Sequence, residues 1–518
     1  MLITMPNLRQ LSVIAISLVS FALLFGAVGR HRRALPELFH EDEKPKPPQA
    51  PQRPPGPRYK PMPTWTPPPV KDNFPSLATS TPPPIPKWNV ARKDVHKEHD
   101  LDVAPPLLIG FTRSWPILLQ AVVAYITAGW PADQIYVVEN TGVQQANARG
   151  QLSLQNQFHL NHTTLKTLGV NVVTTPTLLS FAQLQNFYLS LTYAHGWPYY
   201  FWSHMDVLPM SFEDGFAGKT PKYSDAGYKS IYTLALEALR DARANSPRWS
   251  IRFFAYDHLA LVNPAAFEDV GGWDTLIPYY ITDCDMHSRL GMRNWTMADA
   301  KAGIITDVSV ALDDLLVLYR VDGIEPSFSD PNPPPPKPPK PEEGDDNKKK
   351  PARNKRAAAE DELAVPLPGR RRSSPRTQRL PPSAMLDARA RVEAYRPTSE
   401  AEAEAETEAD SVLSRRDGDD DKKQDENYRR WRHIVTTADE MYMYKHGDRG
   451  RNTWQAGQRG GHGEPFYYDA AGLADAIELL TETGREVFRR KWGHRDCDLA
   501  SGAKLKFDDQ WRVEKDWE

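Results

Sequence analysis

The chain has 518 residues, of which 40% are hydrophobic and 10% aromatic, so it can bury a sizeable core. Its 47 prolines indicate that part of the chain lies outside that core. The 64 basic and 67 acidic residues give a net charge of -3, which provides no overall basic field for a nucleic acid. We therefore expect one large domain with disordered attachments and no nucleic-acid partner.

The N-terminal region contains an uncharged apolar run at residues 11–28. At about 1.5 Å per residue, this run is just long enough to span a hydrocarbon core of roughly 30 Å. It predicts a cytosolic tail and a transmembrane signal anchor within residues 1–33, with a cleaved signal peptide as the alternative. The arginines that follow the run favour a cytosolic C-terminal part. The N-glycosylation triplets at Asn161 and Asn294 favour a lumenal one, which is the orientation we expect.

Two low-complexity segments follow the predicted anchor. Residues 34–100 are dense in proline, which fixes φ and removes a backbone donor, so they predict an extended stalk. A ligand for proline-binding modules is the alternative for this segment. Residues 330–426 combine proline with blocks of charge and lack apolar periodicity, so they predict a disordered insert.

Residues 101–329, between the stalk and the insert, alternate strand and helix patterns. Helices are predicted after Ser114 and at residues 178–194. Strands are predicted at residues 107–112, 135–138, 170–174 and 199–202. This alternation predicts an α/β fold with a mainly parallel sheet flanked by helices, whose ligands bind at the carboxyl ends of the strands. Polar residues at such ends are Thr112, Arg113, Glu139, Asn140, His204 and Asp206.

Patterned sequence resumes after the insert, in residues 427–518. An amphipathic helix is predicted at about residues 470–491, with Asp469 as its N-cap. Its apolar face comprises Leu473, Ala476, Ile477, Leu480, Val487 and Phe488. We infer that the insert interrupts the domain, so that residues 427–518 form its C-terminal part.

The most informative motif lies in residues 261–290. A Gly-Gly-Trp-Asp turn at residues 271–274 precedes Asp283 and Asp285, which open a predicted helix that contains Arg289. Together with the triplet at residues 204–206, this order resembles the GT-A fold of nucleotide-sugar glycosyltransferases, most closely family 2. The resemblance covers residues 107–319 and extends over residues 428–518.

The resemblance implies a nucleotide diphosphate sugar donor, a glycan or glycoprotein acceptor, and Mn²⁺ or Mg²⁺. It also implies a single-pass type II protein of the Golgi or ER membrane with a lumenal catalytic domain. Asp283 is the expected general base, with Asp285 as its neighbour. The expected metal ligands are Asp206, His204 and His494, although His204 replaces the family's first aspartate. The expected nucleotide-sugar contacts are Thr112, Arg113, Glu139, Asn140, His204, Arg289 and Arg495.

Further expectations concern the two cysteines and the alternative functions. If Asp283 and His494 converge on one diphosphate, Cys284 and Cys497 also come close, and an oxidising lumen permits a disulfide between them. One alternative function is a GT-A-like protein that binds a nucleotide sugar or glycan without turnover. Another is a membrane-tethered interaction protein that acts through its disordered segments. For the acidic residues, turn and helix capping is the structural alternative.

Overall fold

A computed structural model describes residues 56–59, 61, 68–330, 419–447, 458 and 460–517, with side chains in the helix at 419–446 from residue 426 onward. The chain divides into residues 1–63 and residues 64–518, and every element described below belongs to the second unit. The predicted anchor, the first part of the predicted stalk and most of the predicted insert lie outside the described residues. Within the described part, no helix is long and apolar enough to cross a membrane.

A seven-stranded sheet forms the centre of the unit formed by residues 64–518. The described strands are β1 Leu107–Phe111, β2 Ile135–Glu139, β3 Asn171–Thr174, β4 Tyr200–Ser203, β5 Val207–Met210, β6 Trp249–Phe253, β7 Leu259–Val262, β8 Thr296–Asp299 and β9 Ile304–Asp307. The strand order is β3-β2-β1-β4-β7-β6-β8. Within this sheet, β7 runs antiparallel to β4 and β6, and the other pairs are parallel. Strands β5 and β9 form a separate antiparallel pair.

Helices cover both faces of the sheet. The described α-helices are α1 Trp115–Thr127, α2 Gln144–Ala148, α3 His162–Thr167, α4 Phe181–His195, α5 Ile231–Asn245, α6 Pro264–Asp269, α7 Thr282–Met292, α8 Asp419–His446 and α9 Ala470–Trp492. Successive side chains of a strand point to opposite faces. Accordingly, Leu107 and Ile109 pack with residues of α1, α5 and α8, whereas Leu108 packs with residues of α4 and α7. The fold is therefore a mixed α/β architecture with a mostly parallel central sheet flanked by helices, as predicted.

The domain begins earlier than the sequence indicated. Phe74, Leu77 and Val95 lie in the segment predicted as a stalk, yet they are buried in the same core as Leu107. In place of the predicted extended stalk, this segment forms short helical turns at Pro75–Ala78, Lys87–Asn89 and Val95–His99, and its few apolar residues pack against the domain. The C-terminal part of the predicted stalk is therefore part of the folded unit.

The elements after the insert agree with the predicted pattern in part. Helix α9 begins at Ala470, and the side chain of Asp469 accepts a hydrogen bond from Gly472, as expected of its N-cap. Leu480, predicted on the buried face, is instead 47% exposed, because the buried stripe passes through Thr481 and Gly484. Helix α8 begins at Asp419, inside the predicted insert, and no helix was predicted there.

Candidate functional site

A cluster of charged side chains lies where strand β4 ends. The backbone N–H of His204 donates to the carbonyl of His258, which fixes the turn between β6 and β7 beside the end of β4. Asp206 and Asp257 consequently approach opposite nitrogens of His204, at 3.5 Å from Nδ1 and 3.6 Å from Nε2. Burial lowers the pKa of His204, but Asp257 and Asp206 more than offset this and raise it to about 10. The imidazole is therefore protonated at neutral pH.

Asp283 lies in the first turn of α7 and is half-buried. The Tyr256 hydroxyl donates to its Oδ2 at 3.0 Å. One turn later, His287 interacts electrostatically with both Asp283 and Asp257. Burial lowers the pKa of His287 in spite of these two carboxylates, so this imidazole is neutral.

The backbone beside Asp283 is strained at two positions. Tyr256 has φ 51° and Ile281 has φ 73°, in the left-handed region that non-glycine residues seldom adopt. For a β-branched residue such as Ile281 this conformation is particularly unfavourable. Strain of this kind occurs where the surrounding structure holds a functional group in place.

The two predicted motifs come together through these contacts. Asp206, His204, Asp257, His287 and Asp283 form one continuous series in which each residue interacts with the next. The triplet after β4 and the start of α7 thus belong to a single charged centre. This convergence brings together the predicted general base and two of the three predicted metal ligands, Asp206 and His204.

Aromatic and imidazole rings at this centre, including those of His204 and His287, contact one another in a closed circuit. Neighbouring ring centroids are 5.3–6.5 Å apart. In order, the rings are those of Trp202, His204, His258, Tyr256, Phe253, His287, Trp273 and Phe181, which contacts Trp202 again. Within the described residues, the buried Trp273 Nε1 and Thr282 Oγ1 lack a hydrogen-bond partner. Buried polar groups without a partner, beside clustered aromatic rings, are a feature that small-molecule sites share.

Asp285 has a different environment from Asp283. It is fully buried, and it accepts from Arg289 Nε at 2.8 Å and from Trp492 Nε1 at 2.9 Å. The ammonium of Lys491 lies 2.7 Å from Asp285 Oδ1. With these three donors around it, Asp285 fastens α7 to α9. Its contacts indicate a structural role and not the catalytic one suggested by the sequence.

The Gly-Gly-Trp-Asp turn positions α7 through its backbone. Gly271 and Gly272 have φ values of 84° and 74°, and a Cβ on Gly272 would lie 2.8 Å from Asn186 Oδ1. That oxygen accepts from the backbone N–H of Trp273, and Arg289 donates to the carbonyl of Gly272. Arg289 is thus occupied inside the protein, although the sequence suggested a nucleotide contact.

A disulfide joins Cys284 of α7 to Cys497, with their Cα atoms 5.3 Å apart. The bond links residues on the two sides of the predicted insert. It confirms that the segment after α9 lies beside α7, as expected from the proposed proximity of the two cysteines. The part of the chain after the insert is therefore covalently attached to the part before it.

Glu139 and Asn140, at the end of β2, make internal contacts. The buried carboxylate of Glu139 accepts from Asn147 at 2.7 Å and lies 2.8 Å from His162 Nε2. The side chain of Asn140 donates to the carbonyl of Leu179 and accepts from its backbone N–H. Both predicted nucleotide contacts therefore hold loops at the sheet edge.

Thr112 and Arg113 follow β1 at the same edge. Arg113 is buried, and burial lowers its pKa to about 10, an effect partly opposed by Tyr279 and Tyr280. These tyrosines precede α7, so Arg113 lies beside the segment that leads to Asp283. Thr112 is half-buried, and Asn140 donates to its hydroxyl over a long 3.5 Å.

His494 lies in a separate group after α9. It contacts Asp498 Oδ1 at 2.8 Å and also pairs with Asp516, so the structure does not bring it to Asp206. Together with Asp496 and Asp498, it offers ligand atoms within 4.8 Å of one another, which can hold a metal ion. Both aspartates are exposed, and such groups are common without a metal. Arg495 is exposed, and its guanidinium lies 5.2 Å from the ring centroid of Trp517.

The side chains at Asp206 do not fit the expected divalent cation. The ammonium of Lys445, from α8, lies 2.7 Å from Asp206 Oδ2 and 2.5 Å from Asp307 Oδ1. His204, the other expected ligand at this place, has a carboxylate beside each ring nitrogen, with Asp206 at 3.5 Å from Nδ1 and Asp257 at 3.6 Å from Nε2. Asp206 therefore already has a cation as its partner.

Several residues of the centre were not predicted from the sequence. They come from the β6–β7 turn, from the end of β9, and from α7 and α8: Tyr256, Asp257, His258, His287, Asp307, Lys445 and His446. Aspartate and histidine next to a short apolar run at residues 259–262 were the available signal for the turn. No local pattern indicates which strand this turn adjoins.

The fold and site define an α/β protein with a charged, aromatic-lined centre at the carboxyl edge of its sheet. No protein-family model matches the chain, and no curated protein matches its sequence. A mannosyltransferase from Pyrobaculum calidifontis, in complex with GDP-mannose and Mn²⁺, is 13% identical over 40% of this chain and 60% of its own length, with a TM-score of 0.25. A cytidylyltransferase from Leptospira borgpetersenii is 10% identical over 38% of this chain and 75% of its own, with a TM-score of 0.24. Both similar structures are transferases, but scores this low carry no argument about function.

Proposed function

We propose that the protein is a glycosyltransferase that uses a nucleotide diphosphate sugar and a glycan or glycoprotein acceptor. The observation that carries this proposal is the convergence of Asp206 and Asp283 on one aromatic-lined centre. Sugar rings present C–H faces to aromatic side chains and hydroxyls to carboxylates, and both kinds of side chain lie at this centre. The protonated His204 and the guanidinium of Arg113 are the positive groups proposed to face the diphosphate.

In the proposed reaction, an acceptor hydroxyl oxygen attacks the anomeric carbon of the donor sugar. The new C–O bond forms as the bond from that carbon to the diphosphate oxygen breaks, and the nucleoside diphosphate leaves with the electron pair. Asp283 accepts the hydroxyl proton. The Tyr256 hydroxyl at 3.0 Å orients this carboxylate, and Asp283 acting as base implies inversion at the anomeric carbon.

The proposed compartment is the lumen of the Golgi or ER, with residues 11–28 as the membrane anchor. The Cys284–Cys497 disulfide supports this proposal, because disulfides persist in oxidising compartments and are rare in the cytosol. Asn294, in one of the two glycosylation triplets, is exposed at the end of α7.

The test is a donor screen with the chain from residue 64 onward. Release of UDP, GDP or CMP is measured for a panel of nucleotide sugars with mixed glycan acceptors, for the native chain and for Asp283→Asn. Release from one donor that is lost in the variant, while that donor still binds, supports the proposal. If no nucleotide sugar shows saturable binding, the proposal is refuted.

A second candidate is a protein of the same fold that binds a nucleotide sugar without transferring it. The observation that favours it is the pairing of Asp206 with Lys445, which leaves that carboxylate already neutralised. In the donor screen, saturable binding of a nucleotide sugar without release, unchanged in Asp283→Asn, would identify this function.

A further inference from the structure

We propose that the ammonium group of Lys445 takes the place of a divalent cation at Asp206, so that this site uses its nucleotide sugar without a metal. The claim about the substrate rests on the proposed function. The claim about the cation rests on the contacts of Lys445 alone and can be tested without a donor.

The ammonium of Lys445 contacts three oxygen atoms. Its Nζ lies 2.7 Å from Asp206 Oδ2, 2.5 Å from Asp307 Oδ1 and 3.0 Å from the carbonyl oxygen of Val308. An ammonium has three N–H donors, and each has one acceptor here. The side chain is 1% exposed. Two carboxylates and a carbonyl around one point are ligands that also suit a hard divalent cation, and the lysine occupies that point.

Helix α8 holds the ammonium in this position. Its buried residues recur at helical spacing, and Lys445 continues the same face four residues after Met441. The buried residues on this face are Trp431, Ile434, Val435, Ala438 and Met441. Packing of this face against the core therefore delivers Lys445 to the two aspartates. The neighbouring His446 lies 2.9 Å from Asp307 Oδ2, which fixes the end of the helix.

The surrounding groups leave little provision for a second cation. His204 faces Asp206 Oδ1 at 3.5 Å, and His258 and His446 face Asp307. A divalent ion on either carboxylate would be a close neighbour of the buried ammonium, and like charges repel strongly in a buried site. Lys445 thus places one positive charge between the two aspartates. All three N–H groups of Lys445 are already used, so Lys445 influences the nucleotide sugar only through the two aspartates.

The experiment is a titration with Mn²⁺ alone, followed by the loss of the free-ion electron paramagnetic resonance signal. It compares the native protein with Lys445→Ala, which opens the space between the carboxylates, and with Lys445→Arg, which keeps the positive charge. We expect Lys445→Ala to bind one more Mn²⁺ than the other two proteins, and we expect Asp206→Asn in the Lys445→Ala background to remove that ion. Binding at the exposed His494 group would be common to all variants and cancels from the comparison.

Two outcomes would overturn the proposal. One is a Mn²⁺ ion on the native protein that is lost in Asp206→Asn, because this would show that a metal displaces Lys445. The other is a folded Lys445→Ala protein, judged by its cooperative thermal unfolding, that gains no ion. If Lys445→Ala does not fold, the comparison of the native protein with Asp206→Asn still tests the proposal. Once a donor is known, nucleotide release should be unchanged by EDTA, and failure to find a donor would refute the proposed function without affecting the Mn²⁺ result.

Discussion

Asp283 and Asp285 are two residues apart on α7, yet the structure predicts opposite effects of replacing each with asparagine. Asp285→Asn removes the charge between Arg289 and Lys491, which are only 4% and 3% exposed. Breaking a buried ion pair costs about 3–5 kcal/mol. Arg289 keeps two backbone carbonyls and Lys491 keeps Asp274, so we expect the lower end, about 3 kcal/mol. For about 350 described residues, at an unfolding entropy of about 2.1 cal/mol/K per residue, this lowers Tm by roughly 4 °C.

Asp283→Asn is the matched control. The half-buried side chain keeps an oxygen to accept from Tyr256, so its unfolding free energy should change by less than about 0.5 kcal/mol. If Asp283 is the general base, kcat should fall by about 10²–10⁴. Urea unfolding and nucleotide release, measured on both variants, separate the two roles. An Asp285→Asn protein as stable as the native one, or an Asp283→Asn protein with undiminished kcat, would refute this reasoning.

Three further predictions concern the disulfide, glycosylation and the charged centre. Cys284→Ser should lower the unfolding free energy by up to about 5 kcal/mol, because the bond closes a loop between cysteines separated by 213 residues. After proteolytic cleavage within residues 331–418, the two native fragments should separate on a gel only under reducing conditions. In the proposed lumenal setting, Asn294 should carry a glycan, because it is exposed, whereas the side chain of Asn161 accepts from a backbone N–H. Peptide N-glycosidase should therefore remove a glycan from position 294 of the native protein and none from that position in Asn294→Gln. The folded-state pKa of His204 is raised to about 10, so its contribution to stability is fully present below about pH 6.5 and is lost as pH rises through about 10. His204→Gln should therefore destabilise the protein more in mildly acidic than in strongly alkaline urea titrations, and an equal effect at both would contradict this pairing.

Local pattern was sufficient to predict much of the fold. The first four strands and the helices α1, α4 and α9 follow from apolar periodicity and caps, as at Asp469. Helix α8 carried the same signal in its buried face from Trp431 to Met441, but the charged sequence before it concealed the pattern. The latter part of the stalk was assigned by proline content, which does not report the few apolar residues that pack.

The candidate site was harder to predict, because its contacts connect distant segments. The sequence indicated Asp206 and Asp283. Asp257 reaches His204 only through the pairing of β7 with β4, and Lys445 reaches Asp206 only through the packing of α8. Asp285 looks equivalent to Asp283 in a motif, and only its buried donors reveal that it is structural. Burial and long-range pairing decide these roles, and neither can be read from local spacing.

The most direct test of the central claim is a crystal structure of the protein with the donor nucleotide sugar bound, or with its nucleoside diphosphate. We predict a sugar ring among the aromatic side chains beside Asp283 and Tyr256, with the diphosphate near Arg113 and His204. Lys445 should remain between Asp206 and Asp307. A nucleotide bound elsewhere, with the centre between Asp206 and Asp283 unchanged, would contradict the claim that the two motifs form one glycosyl-transfer site.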